Sequence, residues 1–180
     1  MHFTPSPALP EVLIIEPKIF EDDRGYFTEI YHQKKFYEAG IKGNFVQDNR
    51  SLSRKRTIRG LHYQIGRPQG KLTWVLAGEV FDVVVDIRKS SPTLGKWFGI
   101  TLSDQNKRGL YIPPDFAHGF CVLSSKAEFF YKCTDFYSPD HERCIRWDDP
   151  DLAIDWPIKE PVFSEKDKNC PFFKDAELPP

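Results

Sequence analysis

Two histidines and their neighbours are the first residues in this chain whose types suggest chemistry. His62 is embedded in the strand-like run at residues 59–64, which also contains Arg59. A neutral imidazole can accept a proton near neutral pH, because its unperturbed pKa is about 6.5. In a regular strand Arg59 and His62 would face opposite sides, so we expect Gly60 to introduce a bulge that re-aims one of them. A histidine on a sheet surface is an equally good interpretation of these residues alone.

The second histidine, His118, follows a proline-rich turn at residues 112–115. Metal-binding jelly rolls of the cupin type use a His-x-His pair and a later Glu, together with one His from a second motif. Here His62 is followed by Tyr63 and Gln64, so no second histidine completes the pair. Three nitrogen ligands cannot be assembled from this pattern, and we predict no metal site. His118 is then either structural or directed towards a substrate.

Two later segments contain further groups that could move or orient a proton. Tyr131 and Tyr137 share one face of a strand-like run, and an inward tyrosine needs a partner for its hydroxyl. Two ordinary core tyrosines are the alternative. Residues 164–167, Ser-Glu-Lys-Asp, resemble a capping box in which Asp167 supports the start of a short helix. The same carboxylate could instead orient a histidine and stabilise its protonated form.

The rest of the chain predicts the strands that must position these groups. About ten short runs are rich in β-branched and aromatic residues and are separated by turn residues. The predicted strands cover residues 26–31, 44–51, 57–64, 71–77, 80–88, 97–102, 109–112, 117–123, 128–136 and 143–147. Gly78-Glu79 has the Gly-first pattern of a type II′ hairpin turn. Helices are limited to residues 33–39 and one beginning at Ser164, so we predict an all-β, antiparallel jelly roll with short peripheral helices.

Composition predicts one folded domain over residues 1–180. Hydrophobic residues make up 40% of the chain and charged residues 28%, which excludes a disordered class. No apolar run approaches the ~18 residues of a membrane span, and the N-terminus lacks the pattern of a secretory signal. A net charge of -1 gives no reason to expect nucleic acid or an anionic membrane as a partner. We therefore predict a cytoplasmic protein.

The four cysteines show neither a CxxC pair nor the spacing of a zinc site. They are Cys121, Cys133, Cys144 and Cys170. Because we predict a cytoplasmic location, where thiols are kept reduced, we expect all four to be reduced thiols.

An ordered set of motifs resembles one enzyme family. The motifs are Arg24-Gly25-Tyr26-Phe27, Gln47-Asp48-Asn49-Arg50-Ser51, Arg59-Gly60-Leu61-His62-Tyr63-Gln64, Asp82-Val83-Val84-Val85-Asp86-Ile87-Arg88, Ser91-Pro92-Thr93, His118-Gly119-Phe120, Tyr131-Lys132 and Trp156-Pro157. From about residue 12 to residue 167 the chain resembles the dTDP-4-dehydrorhamnose 3,5-epimerases of the dTDP-L-rhamnose pathway. That resemblance implies a cupin-like jelly roll and a homodimer that uses no metal and no other cofactor.

The resemblance also implies a reaction, the inversion of C3 and C5 in a dTDP-linked 4-keto-6-deoxyhexose. Both carbons are alpha to the C4 ketone, so a base can remove a proton to give an enolate, and an acid can return one on the opposite face. Some relatives invert only C3 or only C5 with the same His and Tyr. That alternative stays open, as does a non-catalytic jelly roll that binds a sugar nucleotide.

By the same resemblance, four residues have catalytic roles. His62 matches the base and Asp167 its carboxylate partner. Tyr131 matches the acid on the opposite face, and Lys71 matches the cation beside the C4 oxygen. The matched substrate-binding positions are Arg24, Phe27, Glu29, Gln47, Asp48, Asn49, Arg59, His118, Tyr137, Glu142 and Lys166.

The resemblance predicts a role for the N-terminal region of the chain but none for its C-terminal tail. In the family the N-terminal region crosses to the partner subunit, so residues 24–29, within an arm of about residues 1–30, would serve the neighbouring site. Arg24 and Arg59 match positions that bind the diphosphate, whose oxygens suit a planar guanidinium. The C-terminal tail, about residues 169–180, matches no family role, and we expect a disordered end or padding in a dimer.

Overall fold

Strands are the main regular secondary structure of the computed structural model, which describes residues 1–180. The strands are β1 (His2–Pro5), β2 (Leu13–Glu16), β3 (Ile19–Asp22), β4 (Gly25–Thr28), β5 (Gln47–Arg54), β6 (Ile58–Gln64), β7 (Lys71–Ala77), β8 (Glu79–Asp86), β9 (Trp97–Ser103), β10 (Gly109–Ile112), β11 (Phe116–Val122), β12 (Lys126–Cys133) and β13 (Glu142–Cys144). The helices are α1 (Gln33–Glu38) and α2 (Glu165–Lys168), with single 3-10 turns at Pro139–His141 and Phe173–Asp175. None of the helices has the length and apolar character needed to cross a membrane.

The strands form two large antiparallel sheets and one separate hairpin. One sheet has six strands in the order β1-β2-β10-β7-β12-β5, and the other has five in the order β13-β6-β11-β8-β9. The hairpin is β3 with β4. The chain therefore changes sheet repeatedly as it advances, as in a jelly roll, and the prediction of an all-β antiparallel jelly roll with short helices is confirmed.

Three groups of buried apolar side chains define the layers of the fold. One lies between the two large sheets and includes Val84 and Phe129. A second includes Val83 and Val85, which belong to the opposite face of β8 and pack against residues near the C-terminus. The third includes Phe36 of α1, which packs on the six-stranded sheet. Strand β8 is consequently buried on both faces, and any polar side chain on it must find a partner within the protein.

Asp86 is a fully buried carboxylate at the end of β8 that holds the loop after it. It accepts hydrogen bonds from Arg88 Nη2 at 2.6 Å, Ser91 Oγ at 2.5 Å and Thr93 Oγ1 at 2.6 Å. Burial opposes the charge on Asp86, but these donors, with Arg88 foremost, outweigh it and lower its pKa to about 2.

We expect Asp86→Asn to remove an acid-sensitive contribution to stability. The pKa of Asp86 is depressed in the folded state, so its contribution is fully present above about pH 4 and is lost as the pH falls towards 2. The shift corresponds to roughly 2 kcal/mol at neutral pH. Urea unfolding between neutral pH and about pH 3 should show a less stable variant with a flatter pH dependence. Glu11→Gln, which removes an exposed partner of Arg88, is the control. Equal acid sensitivity in wild type and Asp86→Asn would contradict the assignment.

The turn at Gly78 differs from the predicted hairpin. β7 and β8 do not pair, because they belong to different sheets, and the turn carries the chain from one sheet to the other. Gly78 has φ +82°, and a Cβ there would lie 2.2 Å from the Lys126 carbonyl oxygen. The Gly-first pattern therefore indicates a positive φ at Gly78 and a close approach to the Lys126 backbone. Neither property specifies which strands pair with each other.

The prediction of four reduced cysteines is wrong for two of them. Cys144 and Cys170 form a disulfide with a Cα–Cα distance of 5.5 Å, whereas Cys121 and Cys133 are buried free thiols. The paired cysteines are 26 residues apart in sequence. Tertiary packing brings them within bridging distance, and no short spacing motif could indicate that.

The C-terminal tail is also more ordered than expected. Phe173 and Leu178 pack against the apolar group on the outer face of the five-stranded sheet. The Tyr63 hydroxyl donates to the Glu177 carbonyl oxygen at 2.7 Å, and the Lys89 amide donates to the Pro179 carbonyl oxygen at 3.1 Å. The tail is therefore not a disordered end, because it covers apolar strand surface of its own chain, whereas its role as padding in a dimer stays a prediction.

Candidate active site

A cleft between the two large sheets brings most of the candidate residues together. Its main cavity has a volume of about 500 Å³, and a smaller one of about 190 Å³ shares Asn49, His62, Lys71 and Tyr131 with it. The candidate residues that line the main cavity are Asn49, Arg59, His62, Lys71, His118, Tyr131, Lys166 and Asp167. Those that line only the smaller cavity are Gln47, Tyr137 and Glu142.

His62 and Asp167 form a hydrogen-bonded pair at one wall of the cleft. His62 Nε2 lies 2.6 Å from Asp167 Oδ1, and Asp167 is buried. The Ser164 hydroxyl donates to the other carboxylate oxygen at 2.8 Å, and it also accepts from the Asp167 amide at 3.1 Å. Burial alone would raise the pKa of Asp167, but the hydrogen bond and charge of His62, together with Ser164, lower it. The sequence offered two alternative roles for Asp167, in a capping box with Ser164 or as the partner of a histidine. The structure contains both contacts.

The predicted bulge at Gly60 is present and lets Arg59 and His62 share the cleft. Opposite β11, His118 pairs with His62 but Phe120 pairs with Arg59, so β6 contains one extra residue. Gly60 has φ +122° and joins Leu61 through a cis peptide bond. A Cβ at Gly60 would lie 2.5 Å from the Gly119 Cα, so only glycine fits. Arg59 Nε donates to Ser53 Oγ at 3.0 Å, which directs the guanidinium along the cavity wall.

His118 forms a second histidine–aspartate pair deeper in the cleft. Its Nε2 lies 2.8 Å from Asp82 Oδ1, and Asp82 is completely buried. His118 is the direct strand partner of His62, so the two imidazoles belong to neighbouring positions on one face of the five-stranded sheet. Burial lowers the pKa of His118, against the opposing effect of Asp82.

Lys71 places a buried amino group at the wall formed by the six-stranded sheet. Its Nζ donates to the His62 carbonyl oxygen at 3.4 Å, so it spans the gap between the sheets. Burial lowers the pKa of Lys71, and nearby Cys133, Asp82 and Glu142 act in the opposite direction.

Tyr131 lies on β12, in the sheet opposite the one that carries His62. Burial, with smaller effects from neighbouring groups, raises the pKa of Tyr131 to about 12. The phenol is therefore protonated at neutral pH and able to donate. The cleft has an imidazole on one wall and a phenol on the other.

A connected group of three polar side chains joins the two cavities, since Tyr137 and Glu142 line the smaller one and Lys166 lines the main one. Glu142 accepts from the Tyr137 hydroxyl at 2.6 Å and pairs with Lys166 Nζ at 2.5 Å. Burial would raise the pKa of Glu142, but Lys166 and Tyr137 lower it. Gln47 Oε1 accepts from the Tyr137 amide at 2.8 Å, which ties this group to β5.

Four candidate residues lie outside the cleft of their own chain. Arg24 and Phe27 are on the β3–β4 hairpin, which borders a separate surface depression. Glu29 pairs with Lys35 at 2.6 Å. Asp48 pairs with Lys132 at 2.6 Å and, by strand alternation, faces away from Asn49 and the cleft.

Several residues at the cleft were not among the sequence-based candidates. They include Asp82, Ser51 and Ser53, together with the apolar Phe120 and Phe129. Asp82 was the one with a readable signal, because a carboxylate inside a strongly apolar strand requires a buried partner. No comparable signal marked Ser51, Ser53 or the two phenylalanines. Nowhere in the chain do three or more His, Cys, Asp or Glu side chains come together in an arrangement that could hold a metal ion.

Comparison with known proteins identifies the family. A model of the family described as dTDP-4-dehydrorhamnose 3,5-epimerase matches residues 6–175. The epimerase of that name from Pseudomonas aeruginosa is 55% identical over 96% of this chain and 97% of its own, and that from Shigella flexneri is 57% identical over 94% of each.

Solved structures agree with the sequence comparisons. The crystal structure of dTDP-6-deoxy-D-glucose-3,5-epimerase from Legionella pneumophila, in complex with dTDP-4-keto-L-rhamnose, superposes with a TM-score of 0.96. It is 51% identical to this chain, and the match covers 99% of this chain and 97% of the other. This chain belongs to the dTDP-4-dehydrorhamnose 3,5-epimerase family.

Proposed function

We propose that this protein inverts C3 and C5 of dTDP-4-dehydro-6-deoxy-D-glucose to give dTDP-4-dehydro-L-rhamnose. The observation that carries the proposal is the placement of a His–Asp pair and a tyrosine on opposite walls of one cleft. Inversion requires a base on one face of the sugar and an acid on the other. The enzyme is thus an isomerase that works by proton transfer.

His62 acts as the base in this proposal. Nε2 of His62 is hydrogen-bonded to Asp167. The other ring nitrogen, Nδ1, is therefore the one that accepts the proton from C3 or C5. The imidazolium that forms gains a buried carboxylate partner, so the proton transfer leaves no isolated charge.

Tyr131 returns a proton on the opposite face of the sugar. Its pKa of about 12 keeps the hydroxyl protonated before the reaction and makes its conjugate base strong enough to recover a proton afterwards. One inversion thus moves a proton onto His62 and takes one from Tyr131, and exchange with water resets both groups.

Lys71 supplies positive charge where the enolate develops on the C4 oxygen. A fixed cation in a buried site stabilises this charge far more than it would in water. His118, which is paired with the buried Asp82, lines the same cavity and provides a second polar contact for the sugar.

The nucleotide end of the substrate is assigned to Arg59, Gln47, Asn49 and the Tyr137–Glu142–Lys166 group. These residues surround the rest of the cleft. Bound dTDP-4-keto-L-rhamnose in the Legionella relative supports a dTDP-sugar substrate here.

A homodimer is part of the proposal. The hairpin exposes Phe27 by 69%, and the Arg24 side chain by 89%, on a surface separate from the chain's own cleft. Exposed aromatic and arginine side chains are typical of interface centres. In the dimer, Arg24, Phe27 and Glu29 contact the partner's substrate.

The cytoplasmic location stays a prediction.

We expect Arg59→Lys to weaken nucleotide binding more than turnover. Lysine keeps the charge but loses the fork that holds two phosphate oxygens and donates to Ser53. Calorimetric titration with dTDP should give a weaker dissociation constant, about 10-fold for one lost charged hydrogen bond. Arg54→Lys, at an exposed arginine of β5 that lines neither cavity, is the control. An unchanged dissociation constant for Arg59→Lys would remove this residue from the phosphate site.

The decisive test of the function is deuterium incorporation from heavy water. With dTDP-4-dehydro-6-deoxy-D-glucose as substrate, NMR should show deuterium at both C3 and C5 and a product of the L-rhamno configuration. Exchange at only one of the two carbons would instead favour a single-centre epimerase. Binding of dTDP without any exchange would favour a non-catalytic sugar-nucleotide module.

A further inference from the structure

The Cys144–Cys170 disulfide joins the two segments that hold the His62–Asp167 pair. Cys144 is the strand partner of His62 in the β13–β6 ladder. Leu61 and Ile145 exchange both of their backbone hydrogen bonds, at 3.2 and 3.0 Å. His62 and Cys144 are therefore the adjacent non-hydrogen-bonded pair, in which side chains lie closest. At the other end of the disulfide, Cys170 follows Asp167 by about one helical turn.

The segment that carries Asp167 has little regular structure to hold it. α2 has four residues, and Asp167 is the only buried one. A single helical turn is unstable alone because its first hydrogen bond must offset the ordering of several residues. Between Cys144 and α2 the chain contains no helix or strand. The position of the carboxylate therefore depends on attachments to neighbouring elements.

Two side-chain cross-links attach this segment to β13, on either side of Asp167. One is the ion pair between Lys166 and Glu142, whose lysine side chain is 54% exposed. Exposed ion pairs contribute little to holding a geometry. The other is the disulfide, which is covalent and has Cys170 buried. The disulfide is the stronger attachment of the two.

We propose that the Cys144–Cys170 disulfide is a positioning element that holds Asp167 against His62, so that turnover depends on the oxidised state of this pair. The inference rests on the function proposed above. Neither cysteine lines the cleft, so both act through Asp167. Cleavage by an external dithiol breaks the S–S bond and adds two electrons and two protons to give two thiols, while the dithiol becomes a disulfide. A small disulfide compound reverses the exchange.

The test compares oxidised, reduced and reoxidised wild-type protein. Dithiothreitol is the reductant, oxidised glutathione the reoxidant, and alkylation with mass analysis counts the thiols. We expect reduction to lower kcat by about 10- to 100-fold, because a small misplacement of a reacting group has effects of this size. KM and the dissociation constant for dTDP should change little, circular dichroism should stay native, and reoxidation should restore kcat. An unchanged kcat in fully reduced, folded protein would overturn the proposal.

Two sets of variants separate positioning from general stabilisation. The double variant Cys144→Ser/Cys170→Ser should match reduced wild type and ignore dithiothreitol, whereas Cys121→Ala, at a buried free thiol, should keep the wild-type response. In Asp167→Asn, reduction should cause no further loss of kcat, because the two changes act through one contact. A reduction effect of full size in Asp167→Asn would show a structural role only and would overturn the proposal.

Amide hydrogen exchange tests the same inference without using the reaction. Reduction should speed exchange in residues 164–170 while leaving β8 and β11 protected. If the oxidised protein inverted neither carbon, the proposed function would fail, and this measurement would still decide whether the disulfide positions Asp167. Equal exchange of residues 164–170 in both redox states would overturn the positioning role.

Discussion

His62→Asn should abolish deuterium exchange at both C3 and C5 while leaving dTDP binding near normal. Asparagine is close to histidine in shape and can still hydrogen-bond to Asp167, but it has no nitrogen that is basic at neutral pH. Loss of a general base costs about 10²- to 10⁴-fold in rate. Both carbons should be affected, because one imidazole on one wall of the cleft serves both proton removals.

The measurement is the rate of solvent deuterium entry into each carbon, followed by NMR beside a dTDP titration. His32→Asn is the matched control, because His32 is exposed at the start of α1 and lies outside both cavities. If exchange survived at one carbon, a second base would have to serve it, and His118 would be the nearest candidate. Loss of dTDP binding together with exchange would show that the variant damages the cleft as a whole.

The strands nearest the site were the easiest part of the fold to predict. β6, β7, β8, β11 and β12 are long, apolar and bounded by turn residues, so their sequence periodicity is strong. β1, β2 and β3 were missed, since each has four residues, and prolines at positions 5, 7, 10 and 17 interrupt the region. These strands are defined by their pairing, β2 with β10 and β1 with β2, which one short segment cannot reveal.

Pairing between distant segments also explains what was wrong. Gly78 predicted a left-handed residue correctly but could not specify that β7 and β8 enter different sheets. The Cys144–Cys170 bond and the packed tail depend on how the C-terminal third folds back over the five-stranded sheet. Local sequence indicates the conformation of a residue, whereas its partners follow from the whole chain.

The sequence predicted those parts of the candidate site that follow from residue type and from the alternation of side chains along a strand. Strand alternation required a bulge at Gly60 if Arg59 and His62 were to share a cavity, and the ladder contains that bulge. The partner of His118 was not predicted, because Asp82 lies 36 residues away on another strand. The roles of individual residues came from family resemblance, and they stay predictions until the variants are measured.

Tyr131→Phe should separate proton removal from inversion. The substitution removes the hydroxyl from the wall opposite His62 but leaves the His62–Asp167 pair intact. His62 can still take a proton, exchange it with solvent and return it to the same face. Deuterium should therefore enter the substrate while formation of the inverted product falls by about 10²- to 10⁴-fold, the contribution typical of one acid or base.

The ratio of deuterium entry to inversion is the quantity that tests the two-wall assignment. Tyr111→Phe is the control, because Tyr111 is a partly buried tyrosine outside the cleft and its loss should leave the ratio unchanged. Equal loss of deuterium entry and inversion in Tyr131→Phe would mean that the hydroxyl is required to form the enolate. Unaltered inversion would return Tyr131 to the role of a core tyrosine. Only fast exchange with slow inversion requires a base and an acid on opposite faces of the sugar, which is the arrangement that the two sheets create.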